Sequence, residues 1–303
     1  MSHEPILIVG TGALATLFAA RLAADGHEIT MLGTWDAGLE ALTRGGARLV
    51  DAQGRERVYP VRVTRDPSTA RGTRYAFVLV KAWQTERAAR QLANCLAEDG
   101  LAITLQNGLG NDDILAASLG HERVALGVTT TGATLLGPGL VCAGGEGVVS
   151  VEAHPRLGVV EGALRRANFQ VEVVADAKSL VWGKLVINAA INPLTALLRV
   201  PNGELLKRPA ARVVMKALAE ETAAVASAQR VRLPFSNPIE AAESVAQKTA
   251  LNHSSMFQDV RRGAPTEIDA ICGAVTRTGE RHGIPTPVNR VCWQLIQAIA
   301  TAG

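Results

Sequence analysis

The feature that most constrains the fold lies near the start of the sequence, where an apolar run passes through a glycine-rich turn into a helical pattern. Residues 5–9 read PILIV and fit a buried parallel strand, residues 10–15 read GTGALA, and residues 28–32 fit a second strand. A GxGxxA turn between a strand and a helix, followed by another strand, is typical of a Rossmann-type dinucleotide-binding fold. The alternative interpretation is a glycine turn with a purely structural role.

The small residues of this turn have physical roles in binding a dinucleotide. Gly10 permits the tight turn, Gly12 lets the backbone approach a pyrophosphate, and Ala15 lets the helix pack close to the strand. The free N–H groups at the start of the helix then point at the phosphates. The sequence therefore predicts six cofactor-binding residues in this turn: Gly10, Thr11, Gly12, Ala13, Leu14 and Ala15.

Two polar residues follow two further predicted strands. Strand 75–80 ends at Lys81, and strand 101–105 ends shortly before Asn107. Because ligands bind beyond the carboxyl ends of strands in open α/β sheets, we expect Lys81 and Asn107 to lie at the binding edge. Ordinary roles are also open, since Lys81 could be solvated and Asn-Gly is common in turns.

The rest of the first half is predicted to complete the sheet, and the second half is predicted to be helical. After a helix over 86–96, strands with antiparallel pairing at the sheet edge are expected at 124–127, 139–142, 148–152 and 171–174. Beyond Asp176, a candidate helix N-cap, helices are expected over 180–198, 210–229, 239–250, 265–279 and 287–302. The predicted fold class is α/β: a Rossmann-type dinucleotide-binding domain over residues 1–176, followed by an all-α C-terminal substrate and catalytic domain over residues 177–303.

One predicted helix carries a stripe of polar residues on an otherwise apolar surface. Residues 180–198 read LVWGKLVINAAINPLTALL, and Lys184, Asn188 and Asn192 recur at four-residue intervals, which places them on one helix face. Because a buried ammonium or amide is costly unless it is paired, the stripe indicates the wall of a polar pocket. The alternative is that Lys184 reaches water while the two Asn side chains are satisfied core amides.

Composition and charge exclude several classes of protein. The 303 residues are 48% hydrophobic and 19% charged, which is typical of globular domains and excludes a disordered chain. The formal net charge is +3 without a long basic run, so no nucleic-acid partner is expected. No membrane span is expected either, because the polar stripe interrupts the longest apolar run before it reaches roughly 20 residues. The four scattered cysteines and the lack of a signal peptide predict a cytoplasmic protein with free thiols and no bound metal.

Eight segments, taken together, resemble one family over nearly the full length of the chain. They are GTGALA at 10–15, LVKAWQT at 79–85, QNGLG at 106–110, TTT at 129–131, WGKLVINAAINPLTAL at 182–197, PNGEL at 201–205, NHSSMFQDVRRGAPTEID at 252–269 and HGIPTP at 282–287. In this order the chain resembles ketopantoate reductase (2-dehydropantoate 2-reductase). The last three segments are specific, because other two-domain dinucleotide enzymes do not share that order. The resemblance implies a Rossmann-type domain, an all-α second domain and an active site in the cleft between them.

The resemblance also implies an activity, the NADPH-dependent reduction of 2-dehydropantoate (ketopantoate) to pantoate with hydride delivered to C2. On this resemblance Lys184 is the general acid, and Glu267 is the acidic residue near the reacting centre, where it can keep Lys184 charged. Lys81 and Asn107 match residues that contact the cofactor. The positions that match substrate-binding residues are Asn188, Asn192, Asn202, Asn252 and Ser255. The expected partner is a small 2-keto acid, and the expected assembly is a monomer or a homodimer.

Other functions stay open at this point. The same scaffold could reduce another small 2-keto acid, and a catalytically silent dinucleotide-sensing protein is a further alternative. A sensor is expected to keep the glycine turn and lose the pocket, whereas Lys184, Asn252 and Glu267 are all present here. Taken alone, Glu267 would read as a solvated helix carboxylate.

The residues after the second strand bear on the choice of cofactor. The family usually has an Arg there that binds the 2′-phosphate of NADPH, whereas this sequence reads GTWD at residues 33–36. Thr34 offers a hydroxyl and no carboxylate at that point, which favours NADPH, with NADH as a weaker alternative. The margin is expected to be modest, since the Arg is missing and Asp36 opposes a phosphate.

Overall fold

The computed structural model of the chain describes residues 4–145 and 147–300. The chain divides into two compact units, one formed by Met1–Gln106 with Asn111–Ala177 and the other by Asn107–Gly110 with Lys178–Gly303. The short segment Asn107–Gly110 therefore packs with the second unit, although it directly follows the first part of the first unit.

The first unit contains both strands and helices. In chain order its elements are β1 (Ile6–Val9), α1 (Ala13–Ala24), β2 (Ile29–Leu32), α2 (Asp36–Gly45), β3 (Ala47–Val50), β4 (Glu56–Tyr59), β5 (Arg62–Thr64), β6 (Thr73–Val78), α3 (Thr85–Ala93), β7 (Leu96–Thr104), α4 (Asn111–Leu119), β8 (Val124–Thr129), β9 (Ala133–Gly137), β10 (Leu140–Ala143), β11 (Val148–Glu152), α5 (Gly158–Arg166) and β12 (Gln170–Val174). The helix expected over 86–96 is shorter than predicted, because the chain turns at its end and Leu96 already begins β7.

In the described residues the main sheet has eight strands in the order β12-β11-β8-β7-β6-β1-β2-β5. The strands from β8 to β5 run parallel, while β11 pairs antiparallel with β8 and β12 lies parallel to β11. Val9 at the end of β1 lies opposite both Leu32 and Val78, so the carboxyl ends of β1, β2 and β6 lie side by side. This sheet confirms the predicted α/β class and the antiparallel edge pairing.

The central strands are apolar because both faces of the sheet are covered. On one face Ile8 and Phe77 belong to a buried cluster with Phe18 of α1. On the other face Leu7 and Val9 belong to a second buried cluster. A strand covered on both faces reads as a continuous apolar run, which is the pattern of residues 5–9.

A second sheet in the described residues has four strands in the order β4-β3-β10-β9, and it corrects one prediction. Residues 139–142 were expected in the main sheet, but β10 pairs antiparallel with β9 and parallel with β3 instead. The tight turn at Gly139, which has φ +67°, folds β10 back on β9 as a hairpin. Because the hairpin leaves one face open, Leu136 of β9 stays exposed, unlike the side chains of a doubly covered strand.

Among its described residues the second unit contains helices and connecting loops but no strand, which confirms the predicted all-α part of the fold class. Its elements are α6 (Ala177–Leu198), α7 (Glu204–Lys207), α8 (Pro209–Ala228), α9 (Pro238–Lys248), α10 (Ser255–Arg261), a π-helical turn (Asp269–Gly273), α11 (Ala274–His282) and α12 (Pro287–Ala300). The helix expected over 265–279 begins later than predicted. Its first turn is widened, with the N–H of Gly273 donating to Ile268 O at 3.0 Å.

Helix α6 is the core helix of this unit, where Leu185, Val186 and Ala189 are buried with Met215 of α8 and Ile271 of the π turn. By length and composition alone, its 22 residues could cross a membrane. The prediction that the polar stripe excludes a membrane span was therefore wrong on these two criteria. However, 72% of its most apolar window is buried inside the protein. Such burial is typical of the core helix of a globular domain.

Candidate active site

The glycine turn brings the start of α1 close to the neighbouring strand ends. Gly10 has φ +131°, a conformation that favours glycine, and its N–H donates to Leu32 O at 2.8 Å. A β-carbon at Gly10 would lie 3.0 Å from Leu79 O, so there is no room for a side chain. Thr11 is buried, and a β-carbon on Gly33 would lie 2.7 Å from its Cγ2. The loop is therefore packed tightly against the strand ends.

The next residues leave open space for an anionic group. Gly12 is exposed and is the N-cap of α1, no side chain caps this helix end, and the first turn has no acidic residue. A β-carbon at Gly12 would meet no atom of the described residues within 4 Å, so packing does not demand glycine there. Ala13 and Leu14 are half-buried, and Ala15 is fully buried against the sheet. The first N–H groups of a helix have no partner within the helix, and with the open space at Gly12 this helix start suits a dinucleotide pyrophosphate.

The end of β2 carries a polar cluster. Thr34 is exposed, and its hydroxyl accepts a hydrogen bond from Nη1 of Arg87 at 2.6 Å. Asp36, the first residue of α2, forms an ion pair with Arg65. Arg87 escaped the sequence reasoning because it lies 53 residues away in α3, where it reads as an ordinary solvated helix residue.

Lys81 follows β6 as expected, half-buried at the start of a short 3₁₀ turn. Beside it in the chain is a buried network that the sequence reasoning missed. Nε2 of Gln106 donates to Val80 O at 3.0 Å and to Thr85 Oγ1 at 2.8 Å, and the Thr85 hydroxyl lies 2.8 Å from Asn111 Oδ1. This network fixes the segments that follow β6 and β7. The position of Gln106 directly after an apolar strand was the one available signal.

In the helical unit, Lys184 lies on α6 next to Gly183. At Gly183 the helix packs so closely against the loop between α8 and α9 that a β-carbon there would lie 2.6 Å from Pro234 Cγ. The lysine keeps some exposed surface, yet protein surrounds it densely enough that desolvation lowers the pKa of its ammonium to about 8. The carboxylate of Glu267 opposes this shift, because it favours the charged ammonium. At neutral pH the ammonium is therefore charged and its proton is easily released.

Glu267 is the carboxylate partner in this cluster. It is only 5% exposed, and its Oε2 accepts a hydrogen bond from Nδ2 of Asn107 at 3.0 Å. Asn107, Glu267 and Lys184 therefore form a connected polar group within one unit. The family resemblance assigns Asn107 to the cofactor, and its contact with Glu267 is an addition that the sequence did not reveal.

The loop that carries Asn107 is fixed to the π turn. The N–H of Leu109 donates to Ala270 O at 3.1 Å. Gly108 has φ +87°, and a β-carbon there would lie 2.5 Å from the same oxygen. Only glycine fits at this close approach, and the contact holds the loop that follows Asn107 against the π turn.

The polar stripe of α6 runs from the half-buried Lys184 and Asn188 to Asn192, which is buried. Beyond it, the buried Thr195 hydroxyl donates to Ser254 Oγ at 2.7 Å. The same Ser254 oxygen accepts from the N–H of Phe257 at 3.1 Å and so caps α10. Helix α6 therefore fixes the start of α10.

Ser255 is the first residue of α10, and its side chain is exposed. The sequence reasoning selected Ser255 and missed its neighbour Ser254, whose hydroxyl is buried in the cap. A Ser–Ser pair before a short helix was the only local signal for the cap.

Asn202 and Asn252 are brought together by a backbone hydrogen bond from Asn202 N to Asn252 O of 3.0 Å. Asn202 is buried, and its Nδ2 donates to Thr249 Oγ1 at 2.8 Å. Its buried Oδ1 has no hydrogen-bond partner among the described residues. Asn252 is exposed, so the two Asn side chains of this turn have different environments.

A pyrophosphate site alone would fit any dinucleotide-binding protein. Lys184 points to one class of dinucleotide-binding protein, the reductases. Its lowered pKa and its carboxylate partner suit proton donation to a carbonyl that is being reduced. Each of the two features is typical of a dinucleotide-dependent reductase.

Comparison with known proteins identifies the family. Residues 6–156 match "Ketopantoate reductase PanE/ApbA", and residues 176–300 match "Ketopantoate reductase PanE/ApbA C terminal". The 2-dehydropantoate 2-reductase of Archaeoglobus fulgidus is 38% identical over 305 residues, which cover 99% of both chains. The chain belongs to the ketopantoate reductase family, as the resemblance implied.

Solved structures agree with this assignment and show how widely the fold is used. A ketopantoate reductase from Ralstonia eutropha JMP134 superposes with a TM-score of 0.92 at 31% identity, covering 98% of this chain and 99% of that one. A D-mandelate dehydrogenase in complex with NADH superposes with a TM-score of 0.87 at 25% identity, covering 99% of both chains. The fold alone therefore does not select the substrate.

Proposed function

We propose that this protein reduces 2-dehydropantoate (ketopantoate) to pantoate, with NADPH as the preferred cofactor and NADH as a weaker alternative. The observation that carries the proposal is the desolvated ammonium of Lys184 beside the carboxylate of Glu267. Similarity over both units to the 2-dehydropantoate 2-reductase of A. fulgidus supports the choice of substrate.

Residues of the first unit would hold the cofactor. The N–H groups that follow Gly12 would bind the pyrophosphate, Thr34 would contact the ribose end, and Lys81 would bind from the end of β6. Gly10 and Ala15 would allow the turn and the helix to pack closely against the strands, rather than contact the cofactor themselves. When bound, the nicotinamide supplies the hydride that C2 of the keto acid receives.

Lys184 supplies the proton. Negative charge develops on the C2 oxygen as C2 is reduced, and the ammonium stabilises this charge and donates one proton to form the hydroxyl of pantoate. The resulting neutral amine regains its proton from water, which the partly exposed side chain can reach. A pKa of about 8 suits both steps, because it lies close to neutral pH.

Glu267 keeps Lys184 charged and oriented. Its negative charge favours the ammonium form of the lysine and so limits the effect of desolvation. The hydrogen bond from Asn107 holds the carboxylate in position. We assign Asn107 this positioning role in addition to the cofactor contact that the resemblance implies.

The substrate is held by polar side chains of the helical unit. Asn188 and Asn192 follow Lys184 along α6, and Asn252 and Ser255 are exposed at the start of α10. Amides and a hydroxyl suit the carboxylate and the hydroxyl of a small hydroxy-keto acid. Asn202 supports this group by holding the turn that contains Asn252.

The second candidate function is reduction of another small 2-keto acid, which the likeness to D-mandelate dehydrogenase favours. The test is an NADPH-oxidation assay with ketopantoate, 2-ketoisovalerate and benzoylformate. We expect kcat/KM for ketopantoate to exceed that for 2-ketoisovalerate by at least about 10-fold, because a pocket built for a hydroxyl rejects a substrate that lacks it. A preference for benzoylformate would support the second candidate. Oxidation with none of the three would leave the dinucleotide-sensing alternative.

We further propose a cytoplasmic location and a monomer or homodimer. The four cysteines are free thiols, which are typical of a reducing compartment. Size-exclusion chromatography with light scattering distinguishes the two assemblies.

A further inference from the structure

We propose that Arg87 selects the cofactor: its guanidinium, held on the Thr34 hydroxyl, binds the 2′-phosphate of NADPH. The inference rests on the proposed function insofar as it takes dinucleotide binding at the glycine turn as given. It assigns to α3 the task that the family usually gives to an Arg directly after the second strand.

The position of Arg87 is the first support. In Rossmann-type folds the group at the end of the second strand determines what is accepted at the ribose 2′ position. Thr34 is the second residue after β2, and Nη1 of Arg87 lies 2.6 Å from its hydroxyl oxygen. A guanidinium therefore reaches this strand end from a helix 53 residues further along the chain.

The second support is that no carboxylate of the described residues forms an ion pair with Arg87. Its buried Nε has no hydrogen-bond partner among the same residues. Desolvation lowers the pKa of this guanidinium, which means that keeping it charged costs free energy. A phosphate dianion would relieve the cost, because it accepts two parallel N–H···O bonds from the planar guanidinium.

The neighbouring charges agree with an anion at this point. Asp36 would repel a phosphate if it stood alone, but it is paired with Arg65. Because Arg65 neutralises Asp36, the positive charge of Arg87 is available to bind an anionic ligand. The arginine one turn further along α3, Arg90, is exposed and paired with Glu86 instead.

The experiment measures direct binding of NADPH and of NADH, by nicotinamide fluorescence without any keto acid, to wild type, Arg87→Ala and Arg90→Ala. We expect Arg87→Ala to weaken NADPH binding by about 10- to 100-fold, as loss of a charge-assisted bidentate pair would do, and to leave NADH binding nearly unchanged. Arg90→Ala removes a positive charge from the same helix and is expected to change neither affinity. Competition by 2′-AMP should weaken in parallel with NADPH binding.

Arg87→Gln guards against misfolding, since it keeps a donor for Thr34 while removing the charge, and it should lose NADPH affinity with an unchanged melting temperature. Equal losses for NADPH and NADH, or equal effects of Arg87→Ala and Arg90→Ala, would overturn the inference. The binding data stand apart from the reaction. If NADPH binding depends on Arg87 but no keto acid is reduced, the proposed function fails and the role of Arg87 stands.

Discussion

Asn107 and Glu267 are separated by 160 residues, yet Nδ2 of Asn107 donates a hydrogen bond to Oε2 of Glu267 at 3.0 Å. Glu267 in turn favours the charged form of Lys184. The amide of Asn107 therefore contacts the carboxylate of Glu267, which in turn interacts with the ammonium of Lys184. The amide holds the carboxylate, and the carboxylate partly offsets the desolvation that lowers the pKa of the lysine.

Removing the amide tests this link. We expect Asn107→Ala to lower kcat by about 10-fold, or about 1.4 kcal/mol, because a hydrogen bond to a charged group is lost. Asn94→Ala, on the exposed end of α3, is the matched control and should leave kcat unchanged. If Asn107→Ala weakened NADPH binding and left kcat intact, Asn107 would serve the cofactor alone.

The pH dependence of the reaction should follow Lys184. Reduction needs the protonated ammonium, so kcat/KM is expected to fall as the pH rises through about 8. Oxidation of pantoate needs the neutral amine and should rise over the same range. Glu267→Gln removes the charge that raises the pKa of Lys184, so the falling limb should move to lower pH. A limb that stays in place in this variant would show that another group titrates.

Two adjacent serines should respond differently to substitution. Ser255→Ala is expected to raise KM for the keto acid and leave the melting temperature unchanged, because the side chain is exposed. Ser254→Ala removes the cap of α10 and the partner of Thr195, so it should destabilise the fold by about 1–2 kcal/mol. Steady-state kinetics and calorimetry on both variants separate these effects, and the reverse pattern would show that Ser254 is the substrate contact.

Asn252→Ala should behave like Ser255→Ala, with a higher KM and an unchanged affinity for NADPH. The exposed side chain of Asn252 makes a large loss of stability unexpected. Isothermal titration with NADPH measures the second quantity. A weaker affinity for NADPH would place Asn252 among the cofactor contacts.

The features that could be predicted from the sequence are those set by local spacing. The apolar run before Gly10, the small residues of the turn and the four-residue interval of the α6 stripe each constrain backbone geometry within one or two turns of chain. The sequence segments around Lys184 and Glu267 indicated the ketopantoate reductase family, and the comparisons confirm it.

The remaining features depend on contacts between distant residues. Arg87 meets Thr34 across 53 residues, Thr195 meets Ser254 across 59, and Asn107 meets Glu267 across 160. Topology determines these pairs, and a periodic pattern carries no information about them. For the same reason, residues 139–142 were correctly predicted as a strand and assigned to the wrong sheet.

The central claim is that Lys184 donates the proton when ketopantoate is reduced, and single-turnover kinetics test it most directly. The NADPH complexes of wild type and Lys184→Ala are mixed with ketopantoate, and loss of nicotinamide absorbance is followed by stopped flow. We expect the wild type to form pantoate in one turnover, and Lys184→Ala to do so about 10²- to 10⁴-fold more slowly with unchanged NADPH binding. A variant that reacts at the wild-type rate would contradict the claim.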